Sequence, residues 1–489
     1  MNIVLISAEV SPFAKQGGLA DIAASLPKAW NSMGHNAIVV LPMYKSISVE
    51  MHQLVKTDIV LSVPMGSWTE YAQVWRGYLE SNNQSPVYFI DNDDYYNRIG
   101  IYGNPEGFED NDRRFLFLSR SAFELCKALQ FKPDIIHAHD YHTALALPLL
   151  KIQYRHESFF SSTAGILTLH NLAYQGWYNP DSIMELSGWG KERFYKGSWF
   201  EKDGTFNAMK TGIMFADKIT TVSPTYAKEI RATDFGEGLQ DCLNMRGKDV
   251  IGILNGVDYN EWNPEQDIFI HQRYNASTIS DKHANKLALH HEFSIPETSI
   301  DTPIIGMISR LTFQKGIELV EQIIEDFIYN GNIRLAILGS GENKYEQYFQ
   351  YLRDKYPDKV MVFFGYNNSL SHKIFAGSDF FLIPSLFEPC GLTQLYALKY
   401  GTIPIVRSTG GLADTVEEYN PALKKGTGFC FLDFNAHECA SAIRRALSLY
   451  NNQEHWNTIR HNAMSKDYSI IHSASEYIQV FHWALENQQ

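Results

Sequence analysis

Two series of short, continuous apolar runs set the limits on what this chain can fold into. The first comprises NIVLISA (2–8), AIVVLP (37–42), PDIIHAH (133–139), GILTLH (165–170) and KITTVS (218–223). The second comprises PIIGMIS (303–309), IRLAILG (333–339), KVMVFFG (359–365), DFFLIPS (379–385) and TIPIVRS (402–408). The runs are rich in β-branched residues and do not alternate with polar ones, so each predicts a strand buried on both faces. Amphipathic helical patterns lie between many of them, for example KGIELVEQIIEDFIYNG (315–331) and GLTQLYALKYG (391–401). Strand–helix alternation of this kind predicts an α/β chain built on doubly wound parallel sheets. The stretch 256–300 carries no strand pattern and is polar and helix-prone, as in ISDKHANKLALHHEF. A single core rarely grows beyond about 250–300 residues. In a chain of 489 residues that stretch therefore reads as the join between two domains.

Ligands of such sheets sit beyond the carboxyl ends of the strands, where turns lead into helices. The loop after the first strand reads Lys15-Gln16-Gly17-Gly18-Leu19-Ala20-Asp21 and opens a helical pattern that ends near Met33 and Gly34. Paired glycines let backbone N–H groups approach a phosphate, and a helix N-terminus favours negative charge. The GxGxxG spacing is absent, and the second strand ends without an acidic residue for a ribose, which argues against a dinucleotide site. Lys15 favours an anion all the same. HAHDYH (137–142) raises a metal reading, but the order of its Asp and His residues does not match a dinuclear HxHxDH site, and no second His/Cys cluster accompanies it. His137 and His139 alternate with Ala138 along a strand, which equally suits core histidines. The expectation is no metal.

Other strand ends carry further polar groups. His170 and Asn171 close the GILTLH run, and Tyr174, Trp177 and Tyr178 beyond them suit either stacking on sugar rings or packing, the second being the ordinary role. SRLTFQKG (309–316) brings Arg310 and Lys315 into one loop before a helix, as a diphosphate clamp or a solvated loop would. SLFEPCGLTQ (385–394) places Glu388 and the amides of residues 390–392 at a strongly constrained turn. The pentapeptide GGLAD, already met at 17–21, recurs at 410–414, where Asp414 is expected to cap a helix.

Composition excludes several function classes. Net charge is −13 with no basic run, so neither nucleic acid nor a membrane surface is expected as a partner. The five cysteines are scattered without a CxxC pair, which points to a reducing compartment rather than a disulfide framework. The opening MNIVLISAEV lacks a basic n-region, and no apolar run approaches the ~20 residues of a membrane helix. A cytoplasmic location is expected. The sequence assigns no oligomeric state.

The motifs K-x-GGLAD, HNLAYQG (170–176), GILNGVD (252–258), SRLTFQKG, EPCGLTQ and STGGLADTV (408–416) occur in the order found in bacterial glycogen synthases and plant starch synthases. The chain resembles that family through almost its whole length. The resemblance implies the GT-B fold, two Rossmann-like doubly wound domains facing each other across a cleft. It implies domains at 1–255 and 256–465, with a segment 466–489 that returns to the first. It also implies retaining transfer of glucose from ADP-glucose to the non-reducing end of an α-1,4-glucan, with no cofactor and no metal. Carried over, the catalytic set is Lys15, His170, Arg310, Lys315 and Glu388. The substrate-binding set is Gly17, Gly18, Asp21, Tyr102, Asp140, Asn171, Asn255, Tyr366 (stacking on adenine), Cys390, Gly391, Leu392 and Thr393. The match is weaker around Tyr102 and Asp140.

Two residues depart from the family pattern: Gln16 where Thr or Val is usual, and Ile470 where Trp is usual. No second acid clearly pairs with Glu388, Asp140 being a candidate, so the family reading favours front-face displacement over a covalent intermediate. Two rivals are a different GT-B enzyme, using a UDP-sugar or acting as a nucleotide-sugar epimerase, and a silent glucan-binding protein. Donor comparison separates the first, and retention of Lys15, Arg310, Lys315 and Glu388 together argues against the second.

Overall fold

In the computed structural model the apolar runs become parallel strands, and the chain divides into two units, Met1–Gly256 with Ile470–Gln489, and Val257–Ser469. The structure describes residues 1–486 other than 81, 83, 104, 105 and 297–299.

The first unit contains β1 (Asn2–Ile6), β2 (Asn36–Pro42), β3 (Val55–Met65), β4 (Trp68–Tyr78), β5 (Pro86–Asp91), β6 (Ile135–His139) and β7 (Ala164–Leu169). A small sheet of β8 (Trp177–Tyr178), β9 (Glu201–Lys202) and β10 (Thr205–Asn207) follows, and then β11 (Lys218–Thr221) and β12 (Val250–Gly252). The main sheet has nine strands in the order β12-β11-β7-β6-β1-β2-β5-β4-β3. It is parallel from β12 to β5 and antiparallel through β4 and β3. From β1 the chain winds outward through β2 and returns to β6 on the other side, so the winding reverses between β1 and β6. In open sheets of this kind ligands bind beyond the carboxyl ends of the strands at such a reversal.

Strands β3 to β5 lie outside the series of continuous runs read from the sequence. Leu61, Val63 and Met65 are buried while Val60, Ser62 and Pro64 are exposed, so β3 alternates as a half-solvated antiparallel strand does.

The second unit contains β13 (Ile304–Ile308), β14 (Arg334–Gly339), β15 (Val360–Phe364), β16 (Phe380–Ile383), β17 (Ile403–Arg407) and β18 (Phe429–Phe431). Its sheet is parallel throughout, in the order β15-β14-β13-β16-β17-β18. Here the winding reverses between β13 and β16. The helix Ile317–Tyr329 buries Val320, Ile324 and Ile328 in the same core as Leu335 and Ile337 of β14, as its 3.6-residue apolar spacing requires. Among the described residues no helix is long and apolar enough to cross a membrane.

The terminal helix Ile470–Glu486 belongs to the first unit, where it packs on the helix Gly18–Ser32. The Trp30 indole N–H donates to the Ala474 carbonyl at 3.2 Å, and its ring meets Phe481 edge-on at 5.3 Å. His137 of β6 lies against the same cluster, 5.7 Å from Trp30 and 5.4 Å from Phe481. Ile470, which departs from the Trp expected of the family, is buried at the start of this helix. Phe481 is fully buried, so Phe481→Ala should lower the stability of the first unit by about 3–5 kcal/mol. Chemical denaturation would show this, and a loss below about 1 kcal/mol would mean that the terminal helix is not held by its aromatic face.

Candidate active site

The first unit gathers its polar groups on the loops after β1, β6 and β7. Gly17 caps the helix Gly18–Ser32 with an extended backbone (φ −149°), and a Cβ placed on it would meet nothing within 4 Å. Neither its dihedrals nor its neighbours demand glycine; what it provides is open space beside backbone amides. Lys15 pairs with Asp21 across the same turn at 2.7 Å. Burial raises the Asp21 carboxyl, and the Lys15 ammonium opposes that rise. Gln16 is exposed and is held through its backbone, so a side chain unlike the family's Thr or Val is accommodated there.

Asp140 follows β6 with φ +55°, a left-handed conformation uncommon for a residue with a side chain. The strained turn aims its carboxylate at the end of β7, where Oδ1 accepts the backbone N–H groups of His170 at 2.7 Å and Asn171 at 3.4 Å. Burial pushes the Asp140 carboxyl up to about 7; these two N–H bonds oppose the shift, and the Glu9 charge adds to it. His170 Nε2 lies 2.9 Å from His139 Nδ1, and burial lowers His170 to about 3. Both rings are therefore neutral near pH 7, with one ring donating to the other. His137 instead bonds Thr168 Oγ1 at 2.6 Å inside the sheet, a core role. Among the described residues no group of three or more His, Cys, Asp or Glu side chains could hold a metal ion.

Tyr102 stacks on His142, with ring centroids 4.5 Å apart and planes 22° from parallel. Asn255 is buried after β12, and its Oδ1 has no hydrogen-bond partner among the described residues. Of the three aromatics beyond His170, Tyr174 and Trp177 are about half exposed (54% and 47%), and only Tyr178 is packed. The packing role thus holds for one ring of the three.

The second unit builds its part where β13 and β16 end, at the reversal of winding. Lys315 Nζ reaches Glu388 Oε2 at 2.6 Å, and Ser385 Oγ donates to the same oxygen at 3.0 Å. Arg310 is exposed two residues beyond β13, with no ion pair or side-chain hydrogen bond among the described residues. The turn Cys390-Gly391-Leu392 leads into the helix Thr393–Lys399. It is held by Gln394, a residue not singled out from sequence: the buried Gln394 amide nitrogen donates to the carbonyls of Cys390 and Gly391, both at 3.0 Å. Tyr366 follows β15 with 69% of its surface exposed, its hydroxyl donating to Asn368 Oδ1 at 3.0 Å.

The second GGLAD sits differently from the first. A Cβ on Gly410 would fall 2.0 Å from the Glu388 carbonyl oxygen, and one on Gly411 would fall 2.1 Å from that of Cys390. These glycines exist so that two backbones can touch, with the Gly411 N–H donating to Glu388 O at 3.2 Å and Pro389 O at 3.1 Å. Asp414 does not cap this helix: Gly410–Thr415 is capped at Thr409, and Asp414 lies in its last turn. A cap must precede the first helical residue, and here the helix begins at the glycine pair itself.

Known proteins place this arrangement. The family model for the starch synthase catalytic domain matches residues 2–245, and that for glycosyl transferases group 1 matches residues 291–462. The chain is 42% identical over 494 residues to a glycogen synthase of Geobacillus stearothermophilus, spanning 100% of this chain and 99% of the relative. It is 42% identical over 481 residues to that of Bacillus subtilis (strain 168), spanning 98% of each. The chain belongs to the glycogen and starch synthase family. Among solved structures, the catalytic domain of Arabidopsis thaliana starch synthase IV bound to ADP and acarbose is 33% identical with a TM-score of 0.92, covering 99% of both chains. The fold is accordingly GT-B and the protein a glycosyltransferase, as the family's motifs implied.

The two glycine pairs give opposite expectations. Gly411→Ala should cost about 1–3 kcal/mol through overlap with the Cys390 carbonyl, whereas Gly17→Ala should leave stability within about 0.5 kcal/mol and lower activity. Parallel urea titrations and transfer assays of the two variants would check this. Equal destabilisation would refute the distinction.

Proposed function

We propose that this chain transfers glucose from ADP-glucose to the non-reducing end of an α-1,4-glucan with retention at the anomeric carbon. The observation that carries the proposal is the Lys315–Glu388 pair at the reversal of winding in the second unit, with Arg310 on the same loop as Lys315. It offers two cations to a diphosphate and a carboxylate to sugar hydroxyls at one pair of strand ends. An adenine nucleotide is favoured over a uridine one because the Arabidopsis relative was solved with ADP. Its acarbose supports a glucan-like acceptor.

In this reading Tyr366 stacks on adenine, Arg310 and Lys315 neutralise the departing diphosphate, and Glu388 accepts glucose hydroxyls. The backbone of Cys390, Gly391 and Leu392, with Thr393, holds the distal phosphate. Lys15 and the Gly17–Gly18 turn serve the donor's phosphate and sugar, while Asp21, Tyr102, Asp140, His170, Asn171 and Asn255 serve the sugar and nucleotide. As the bond from the anomeric carbon to the phosphate oxygen breaks, the acceptor O4 bonds to the same face of that carbon. The O4 proton passes to the leaving phosphate oxygen, which departs as ADP. No carboxylate adduct forms, and charge neutralisation is assigned to Lys and Arg, so no metal or cofactor is required. Cys126, Cys242, Cys430 and Cys439 stand as thiols, which suits a cytoplasmic location.

Purified protein assayed with ADP-glucose and with UDP-glucose, each with and without maltooligosaccharide and with a chelator present, should transfer glucose from ADP-glucose to the added oligosaccharide. No transfer from either donor would sink the proposal. In the same assay Lys315→Ala should lower kcat by about 100–1,000-fold with a much smaller change in donor KM; equal effects on both would argue against a role in the transition state.

Asp140 sets a pH dependence. A carboxyl raised to about 7 is mostly protonated below that value and ionised above it. If the ionised form is the active one, kcat/KM rises with pH through about 7 and levels off. Asp140→Asn should abolish this limb, and a limb that survives unchanged belongs to another group.

A further inference from the structure

Glu9 plays no part in the assignments above, yet it occupies an unusual position. It is buried, 4% exposed, three residues beyond β1. No Lys, Arg or His pairs with it among the described residues. A buried carboxylate without a counter-ion persists only if hydrogen-bond donors replace its water. Three donors do so. Oε2 accepts the backbone N–H of Gln16 at 2.5 Å and of Gly17 at 2.9 Å, and Oε1 accepts the Tyr102 hydroxyl.

These contacts join three loops. The Glu9 backbone is itself fixed, because Ser7 Oγ donates to the Glu9 carbonyl at 2.6 Å and accepts from its N–H at 3.2 Å. Val10 and Ala14 then close a small bridge through two 2.9 Å backbone bonds, so the chain returns toward Glu9 with Lys15, Gln16 and Gly17 at its end. Tyr102 is held from the other side, its carbonyl accepting from Asn111 Nδ2 at 2.9 Å and its ring lying on His142, two residues beyond Asp140. One carboxylate therefore ties the Lys15 turn to the Tyr102 loop and, through the stacked ring, to the segment after β6.

We propose that Glu9 is a positioning residue for glucosyl transfer: its carboxylate clamps the amides of Gln16 and Gly17 and so fixes Lys15 and the glycine turn in the conformation the reaction uses. The inference rests on the transferase reading, but its structural half can be measured without activity. The clamp works by geometry. A glutamine oxygen can accept the same two amides while its NH2 donates to the Tyr102 oxygen. Aspartate keeps the charge but, one methylene shorter, cannot reach both partners.

The test compares Glu9→Gln, Glu9→Asp and Glu9→Ala. Glu9→Gln should retain kcat within about 3-fold of wild type, while Glu9→Asp falls by about 10-fold and Glu9→Ala by about 30-fold or more, with donor KM shifting less than about 3-fold throughout. Hydrogen exchange at the Gln16 and Gly17 amides should speed up by about 10-fold or more in Glu9→Ala, with the interior of the helix Gly18–Ser32 still protected. If Glu9→Ala fails to fold, the order of Gln over Asp decides. Glu9→Asp retaining as much activity as Glu9→Gln would overturn the proposal, as would Glu9→Ala within about 3-fold of wild type. If the wild type transfers no glucose, the transferase reading fails, and unchanged exchange at the two amides would separately remove the clamp.

Discussion

A parallel sheet covered by helices on both faces leaves little room for a polar side chain within its strands, because every position along a strand faces a core. The charged residues of the candidate site accordingly lie just beyond strand ends, at the two places where the winding reverses. In the first unit that place lies between β1 and β6; in the second it lies between β13 and β16. Lys15, Glu9 and Asp140 follow from the first reversal, and Arg310, Lys315 and Glu388 from the second. Burial of the apolar runs thus dictates where the candidate chemistry is found, at the ends of the runs and just beyond them, as with His170 at the end of the fourth run.

Charges gathered at such ends need partners until a ligand arrives, and the protein supplies them from within. Asp21 holds Lys15 and Glu388 holds Lys315, each through one short ion pair. Both pairs hold a lysine ammonium in a fixed place at a strand end before any ligand is bound. Asp140 and Glu9 are treated differently, as carboxylates satisfied by backbone N–H groups and, for Glu9, a tyrosine hydroxyl. These two are fixed by hydrogen bonds from loop backbone rather than by an ion pair.

Much of this was legible in the sequence. Ten apolar runs correspond to ten parallel strands, since an uninterrupted β-branched stretch carries its own burial pattern. The strands β3 and β4 were not legible in the same way, because they are antiparallel and the alternation of β3 is interrupted by a bulge between Lys56 and Val60. At the site, Lys315 and Glu388 were chosen from loops 73 residues apart and prove to touch, as the parallel order of β13 and β16 requires. Glu9 was missed because a lone acid in an apolar loop has no pattern. Its meaning comes from Gln16, Gly17 and Tyr102, the last of them 93 residues away. Tyr174 and Trp177 read as packing residues and proved exposed, for aromatic character alone does not say which face of a loop is covered.

By itself the sequence determined the two α/β units, the glycine turns at their strand ends and the family to which the chain belongs, because strand burial and turn chemistry are local and leave local patterns. Only the tertiary structure decided what the glycines of the two GGLAD segments lie against. The sequence separates the two copies only by what flanks them, Lys15 before the first and no lysine before the second, so that the first is expected to act through a side chain and the second through backbone and shape. Gly17 faces open space, while Gly410 and Gly411 lie against the carbonyls of Glu388 and Cys390. What a glycine is for depends on what approaches its missing side chain, and that is fixed by segments distant along the chain.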